Sequence, residues 1–268
     1  MRKTILVPAL ALVAVLAVTG VAYAVNVYTV GGSATPAGQG SASNPYPKAV
    51  SFIFGAKDST GARATPVKRY TIIFQGLKSF AKYFPKCSFA AANDNSRHHI
   101  RCAKARVGGG VLNSLAGSPS NTASSLKCDQ LITLYNSGRG FFIRLDGGPG
   151  GADDKPPAPP TRPDLKCPLP IARAIDARFK TVRNGGISSV ALVFNVPADL
   201  QTNSGLDISV LKASAKIQRR VRRVTVSGRR QRVSILSSTK CKRGKRTTAV
   251  DFTDRNNSTV SQKSVSKC

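Results

Sequence analysis

The placement of six cysteines behind an apolar N-terminal stretch constrains this chain more than any other feature. The positive pair Arg2-Lys3 precedes an apolar run over residues 5–21, and Ala22-Tyr23-Ala24 has the small-residue pattern of a cleavage site. We therefore predict that residues 1–24 form a signal peptide and that the mature chain begins at Val25. An uncleaved anchor is the alternative, because residues 5–24 approach the length that spans a membrane.

An even number of cysteines in an exported chain predicts a disulfide framework, because oxidising compartments let disulfides persist. The sequence alone does not choose among the pairings that six cysteines allow. Proximity along the chain favours Cys87–Cys102 and Cys241–Cys268, which leaves Cys128–Cys167. No C-x-x-C spacing occurs, so the cysteines do not predict a zinc site.

Most of the regular patterns in the sequence are typical of β-strands. Runs rich in β-branched and aromatic residues are bounded by turn residues, and the scarcity of helix-forming periodicity is matched by the absence of glutamate. Only residues 171–182, around Phe179, hint at a helix. The predicted strands are 49–54, 70–74, 131–135, 141–145, 188–196, 206–210, 221–226, 232–236 and 247–252.

These patterns predict a mainly β protein with an antiparallel, β-sandwich-like fold stapled by disulfides. Residues 25–47 form an extended entry segment rich in Gly, Ser and Pro, and 48–146 a first β lobe. Residues 147–163 are a Gly/Pro-rich linker or surface loop, and 164–268 a second β lobe with a basic tract. The two β regions are either one large domain or two small lobes.

The charge balance is extreme. The chain has 41 Lys and Arg against 12 acidic residues, all of them Asp, and a formal net charge of +29. Such a chain attracts polyanions, and an acidic wall polymer, an acidic glycan or nucleic acid would be a suitable partner. The alternative is a basic composition shared by a whole exported proteome, which says nothing about a specific ligand.

The highest density of positive charge predicts a candidate polyanion-binding hairpin. Fourteen Lys or Arg residues lie between Lys212 and Arg246, and no acid occurs between Ile208 and Val250. Residues 221–226 and 232–236 flank Ser227-Gly228-Arg229-Arg230, which suggests a hairpin. A solvated edge that blocks aggregation is the competing interpretation. The candidate binding residues are Arg219, Arg220, Arg222, Arg223, Arg229, Arg230 and Arg232.

The sequence offers no recognisable catalytic centre. His98 and His99 are adjacent, and on a strand they would point to opposite faces; surface-loop histidines are expected. Ser79 begins one of several S-x-x-K matches without the partner motifs of serine acyltransferases, and no G-x-S-x-G elbow is present. Asp153-Asp154 is expected to form a solvated turn and not a catalytic carboxylate pair. Gly108-Gly109-Gly110 is expected to form a turn and not a phosphate-binding loop. We predict no catalytic residue, no metal site and no cofactor.

Several short segments together carry a resemblance to a known group. They are Tyr28-Thr29-Val30-Gly31-Gly32-Ser33, Gly76-Leu77, Phe84-Pro85-Lys86-Cys87, Cys102, Leu134-Tyr135-Asn136-Ser137, Val196-Pro197, Cys241-Lys242-Arg243-Gly244-Lys245 and Cys268. In these segments the chain resembles a group of exported actinobacterial proteins of unknown function. The resemblance implies export, β structure and local disulfides but no activity.

The sequence as a whole predicts a non-catalytic exported β protein with a structural or adhesive role at or outside the cell envelope. The first alternative is an electrostatic binder of acidic polymer that uses the Arg-rich hairpin, and the second is an enzyme of unrecognised type. We expect a secreted or wall-associated protein with no stable membrane insertion after signal cleavage. No small-molecule substrate is inferred.

Overall fold

The computed structural model describes residues 26–148 and 167–268. The predicted signal peptide lies outside these ranges, as do Asp153-Asp154 and all but the first two residues of the Gly/Pro-rich segment. The chain is mainly β, with 60% strand and 8% helix, so the predicted fold class is confirmed.

The described part of the chain contains sixteen strands. The first eight are β1 Asn26–Thr35, β2 Tyr46–Asp58, β3 Val67–Phe74, β4 Leu77–Ser79, β5 Arg106–Gly117, β6 Leu126–Asn136, β7 Gly140–Gly147 and β8 Ile171–Asn184. The others are β9 Ile187–Asn195, β10 Thr202–Asn203, β11 Leu206–Ile217, β12 Arg222–Val226, β13 Arg229–Val233, β14 Leu236–Ser238, β15 Lys245–Asp254 and β16 Thr259–Lys267.

The helices are single turns. They are α1 Phe89–Ala92, α2 His98–Arg101 and α3 Ala198–Gln201, with 3-10 turns at Ala81–Tyr83 and Ala103–Ala105. None of the helices in the described ranges has the length and apolar character needed to cross a membrane.

One large antiparallel sheet runs in the order β16-β15-β3-β9-β8-β7-β6-β5-β11-β2-β14-β4, and β12 and β13 form a separate two-stranded ribbon. Strands from the two predicted lobes pair directly, since β9 and β15 flank β3, and β11 lies between β5 and β2. The sheet curls until β1, which pairs with β2, contacts β15 and β16. The residues of the two predicted lobes therefore share one sheet and one apolar interior.

Alternating side chains of these strands fill the interior. In β3, Tyr70, Ile72 and Phe74 are buried, while the side chains between them are more exposed, as expected when one face of a strand packs on a core. The Tyr70 ring stacks on Phe194 with centroids 5.2 Å apart. Tyr28 of β1 stacks on Phe252 of β15 at 4.2 Å and thereby holds the two ends of the curled sheet together.

Two local predictions are wrong. The predicted turn at Gly108-Gly109-Gly110 lies inside β5, where a Cβ on Gly110 would lie 1.8 Å from the Ser214 carbonyl oxygen of β11. The glycines are thus required by close backbone approach and do not mark a turn. The hint of helix over residues 171–182 is also wrong, because β8 there pairs on both edges with β7 and β9. Tertiary pairing decided the structure of that segment against its weak local preference.

The cysteines lie in three pairs at bonding distance, and no described cysteine is free. The pairs are Cys87–Cys102, Cys128–Cys167 and Cys241–Cys268. The first encloses the two small helices α1 and α2, and the last ties the residue after β16 to the segment before β15. β16 hydrogen-bonds only to β15 within the described sheet, so this bridge closes the end of the chain onto the body.

We expect the Cys241→Ser/Cys268→Ser double variant to lose about 2–4 kcal/mol of unfolding free energy, because this bridge no longer constrains its unfolded chain. Denaturant titration measures the loss, and hydrogen exchange should show faster opening of β16 than of β3. Intact-mass analysis after thiol alkylation should add no label to the unreduced wild-type protein. Labelled cysteines in the unreduced protein, or equal stability of the variant, would contradict the framework.

Candidate functional site

The Arg-rich tract folds into the β12–β13 hairpin. Ser227 and Gly228 form its two-residue turn, and both have positive φ angles, 49° and 77°. Such a turn matches the twist of the flanking strands. The turn is shorter than the sequence suggested, so that Arg229 and Arg230 belong to β13.

The hairpin has two chemically different faces. The inner face carries Val224, Val226, Gln231 and Val233; Val233 is fully buried and the two valines of β12 pack against the same core. The outer face carries three exposed arginines together with Thr225. These outer arginines are Arg223, Arg230 and Arg232.

The remaining candidate arginines are placed differently. Arg219 Nε donates to Pro47 O at 3.2 Å, and Arg222 Nη1 donates to Tyr83 O at 2.6 Å, so both attach the hairpin to the body. Arg220 donates to the Gln218 side chain at 3.4 Å, and Arg229 is exposed beside the turn. The structure therefore does not bring the seven arginines together on one surface.

The outer face has an uncompensated charge. Arg223 lies directly opposite Arg232 in the ladder, and Arg230 lies opposite Thr225. Directly opposed residues have Cβ atoms about 4.5–5.5 Å apart, and like charges at that separation are destabilising. Among the ion pairs of the described residues, none includes an arginine of this outer face.

A buried lysine lies at the base of the hairpin. Lys48 is fully buried, and its Nζ donates to Gly38 O at 2.6 Å and to Pro36 O. Its backbone N–H donates to Ser234 Oγ at 2.8 Å, which joins β2 to the segment that follows β13. Burial lowers the pKa of Lys48 to about 8, and the nearby positive charges of Arg246 and Arg219 act in the same direction.

Arg246 is a second buried cation held by uncharged groups. Its Nε donates to Gln75 O at 3.0 Å and its Nη2 to Ser238 Oγ at 2.6 Å. Burial lowers its pKa from 12.5 to about 10. Neither Lys48 nor Arg246 forms an ion pair with a described carboxylate, so backbone carbonyls and hydroxyls compensate these charges.

The histidines differ from their predicted setting. They lie on α2 instead of a strand or loop, and His98 is 1% exposed. His98 Nδ1 lies 2.9 Å from Tyr135 Oη, and its Nε2 lies 3.8 Å from Asp146 Oδ2. Arg144 donates to Asp146 Oδ1 at 2.8 Å. This network joins α2 to the buried faces of β6 and β7.

Within the described ranges, no group of three or more His, Cys, Asp or Glu side chains is arranged to hold a metal ion.

The cation that sequence reasoning missed most clearly is Lys48. Its position gave a faint signal, since it directly precedes the mostly apolar predicted strand 49–54.

We expect the free energy of unfolding to rise with pH from about 8 to about 10, because the unfolded lysine still binds the proton that folded Lys48 has released. The Lys48→Met variant should lack this rise. One proton contributes at most about 1.4 kcal/mol per pH unit to the slope. Urea denaturation over this range measures the effect.

Lys57→Met is the matched control, because Lys57 lies in the same strand but is exposed. It should keep the wild-type slope. Burial raises the pKa of Tyr70, so stability falls in every variant once unfolded tyrosine ionises near about pH 10. Identical slopes for wild type and Lys48→Met below that pH would contradict the assignment.

Comparison of the chain with protein-family models, with curated proteins and with solved structures finds no match. The resemblance to exported actinobacterial proteins therefore stays a prediction.

Proposed function

We propose that this protein is a non-catalytic exported β module that binds an anionic polymer of the cell envelope electrostatically. The observation that carries the proposal is the outer face of the β12–β13 hairpin, where Arg223, Arg230 and Arg232 lie together without a described carboxylate partner. An anion bound there relieves the repulsion between directly opposed arginines. Arginine can also contact a carboxylate or phosphate through two parallel hydrogen bonds.

The attachment of the hairpin favours a binding role over a merely solvated edge. β12 and β13 are not part of the large sheet, so their charge does not protect that sheet's edges, and the outer arginines share a face of the ribbon. The inner face is instead packed on the core through Val233, and Arg222 is bonded to Tyr83 O. The outer arginines are consequently presented on a fixed scaffold, which lowers the entropy lost on binding.

The three disulfide pairs support export, because disulfides persist in oxidising compartments. The net charge of the full chain is +29 and stays strongly positive without Arg2 and Lys3 of the predicted signal peptide, so the exported protein would attract the acidic polymers of a cell surface. A structural or adhesive role at the envelope follows from the same contact, since a protein that holds a wall polymer is thereby retained on the wall.

The Arg223→Gln/Arg230→Gln/Arg232→Gln variant should bind long-chain polyphosphate more weakly than wild type. We expect the slope of log affinity against log salt to shrink by up to about three contacts' worth. Titrations at several salt concentrations measure both quantities, and thermal unfolding shows whether the variant is folded.

The matched control is Arg69→Gln/Arg97→Gln/Lys104→Gln, which removes three exposed cations from other elements. Exposed charges act within about 10 Å at roughly 0.1 M salt, so a site on the hairpin should lose less from this change than from the removal of its own arginines. Equal weakening in both variants would show that net charge alone drives binding, and the hairpin would then be a solvated ribbon.

A further inference from the structure

A separate basic groove lies beside the hairpin and was not indicated by the sequence. It has a volume of about 670 Å³, within the range typical of ligand sites. Its walls come from β4, the Ala81–Tyr83 turn, the β6–β7 loop, β8 and β9. Its cationic lining residues are Lys78, Lys82, Arg139, Arg178 and Lys180.

Most of this charge is uncompensated. Arg178 is paired with Asp176, whose Oδ2 lies 2.9 Å from Nη2. For the other four cations, no ion pair with a described carboxylate is formed. Lys78 and Lys82 instead lie over aromatic rings, with Nζ 5.6 Å from the Phe80 centroid and 4.9 Å from the Tyr83 centroid. These contacts hold the ammonium groups without neutralising them.

One fully buried amide holds two walls of the groove in place. Asn136 Nδ2 donates to Ala81 O at 2.9 Å and to Pro85 O at 2.8 Å, while Oδ1 accepts from Gly138 N at 3.0 Å. The turn that carries Lys82 and the loop that carries Arg139 are therefore fixed to each other. The backbone N–H of Phe179 also donates to Arg139 O at 2.8 Å, which attaches the loop to β8.

The groove also offers apolar and hydroxyl surface. Phe179 is half-buried, with its ring packed edge-on against Phe141 at 4.9 Å, and lines the groove between the cations. A second hollow of about 410 Å³ continues past Arg139 and Arg178 and is lined by Phe89, which is 43% exposed. Exposed hydroxyl groups complete the groove lining at Thr181 and Ser188, while those of Ser79, Ser189 and Thr239 are bonded to backbone groups.

From this combination we infer that the groove binds a carboxylated saccharide segment of an acidic glycan. The cations face carboxylates, the hydroxyl side chains match sugar hydroxyls, and the Phe179 ring offers apolar surface to the C–H face of a sugar. A single-stranded nucleic acid fits less well, because base stacking needs successive aromatic platforms, and Phe179 is the one aromatic residue among the described residues that line this groove. This site is distinct from the hairpin, so it stands or falls independently of the function proposed above.

The test compares two variants that lose the same charge. Lys78→Gln/Lys82→Gln/Lys180→Gln alters the groove, and Arg223→Gln/Arg230→Gln/Arg232→Gln alters the hairpin. Calorimetric titration with tetragalacturonate should show at least about a tenfold loss of affinity for the groove variant and less than about threefold for the hairpin variant. Maltotetraose, the neutral probe, should not bind either variant or wild type.

A further variant tests the saccharide assignment. Phe179→Leu keeps an apolar side chain against Phe141 but removes the ring, so it should weaken tetragalacturonate and leave inorganic tripolyphosphate unchanged. Equal losses in the groove and hairpin variants would overturn the site. Equal affinity of wild type for tripolyphosphate and tetragalacturonate, with no effect of Phe179→Leu, would overturn the saccharide assignment, and so would tighter groove binding of a thymidine tetranucleotide.

The outcomes for the two sites can be told apart. If tetragalacturonate binding depends on the groove while polyphosphate binding ignores the hairpin, the groove inference holds and the proposed function of the hairpin fails. If polyphosphate binding depends on the hairpin and tetragalacturonate does not bind, the reverse conclusion follows.

Discussion

The compensation of buried positive charge by main-chain carbonyl groups underlies much of this structure. The chain has 41 cationic residues and only 12 Asp, and of the four Lys and Arg residues buried in the described ranges only Arg144 is paired with a carboxylate. Lys48 donates to two carbonyls, Arg63 to Ser118 O at 2.5 Å and Ser124 O at 3.2 Å, and Arg246 to Gln75 O. A carbonyl dipole satisfies the donor without neutralising the charge, so burial remains costly and lowers the pKa of Lys48 and Arg246.

This mode of compensation has a consequence for the surface. Several of the few carboxylates are used within the fold, as in the contact between Asp146 and Arg144 or the pair Asp207–Arg255 at 2.9 Å. The arginines on the outer face of the hairpin and four of the five groove cations are then left without an ion pair to a described carboxylate. The scarcity of acid therefore leaves two surfaces, the outer face of the hairpin and the groove, at which a polyanion can displace water and counterions.

The strands could be predicted from sequence wherever alternation or turn chemistry was strong. β6 and β7 with their Gly-containing loop, and the hairpin around Ser227-Gly228, follow from local patterns. β5 could not be predicted, because its glycines are explained by the approach of the Lys216 and Ser214 carbonyls from a distant strand. β8 could not be predicted for a related reason, since its pairing on both edges depends on β7 and β9 and not on its own composition.

The candidate sites show the same division between local and long-range information. A cluster of arginines is visible in sequence, but only the register reveals that Arg223 and Arg232 oppose each other while Arg222 bonds to Tyr83 O. The groove has no local signature at all, because Lys78 and Lys180 come from strands separated by much of the chain. Neighbouring arginines in the sequence therefore predict a larger hairpin site than the structure forms. The groove is missed because its cations are far apart in the sequence.

The two basic surfaces are joined by a single structural element. The Ala81–Tyr83 turn contributes Lys82 to the groove, and its last residue accepts the hydrogen bond from Arg222 of the hairpin. Asn136 fixes this turn against the β6–β7 loop from inside the protein. If a polymer held in the groove also reaches the outer arginines, its second contact is made at a high effective concentration. Under the function proposed above, two individually weak, salt-sensitive contacts attached to the same turn would retain the protein on an acidic polymer more firmly than either surface alone.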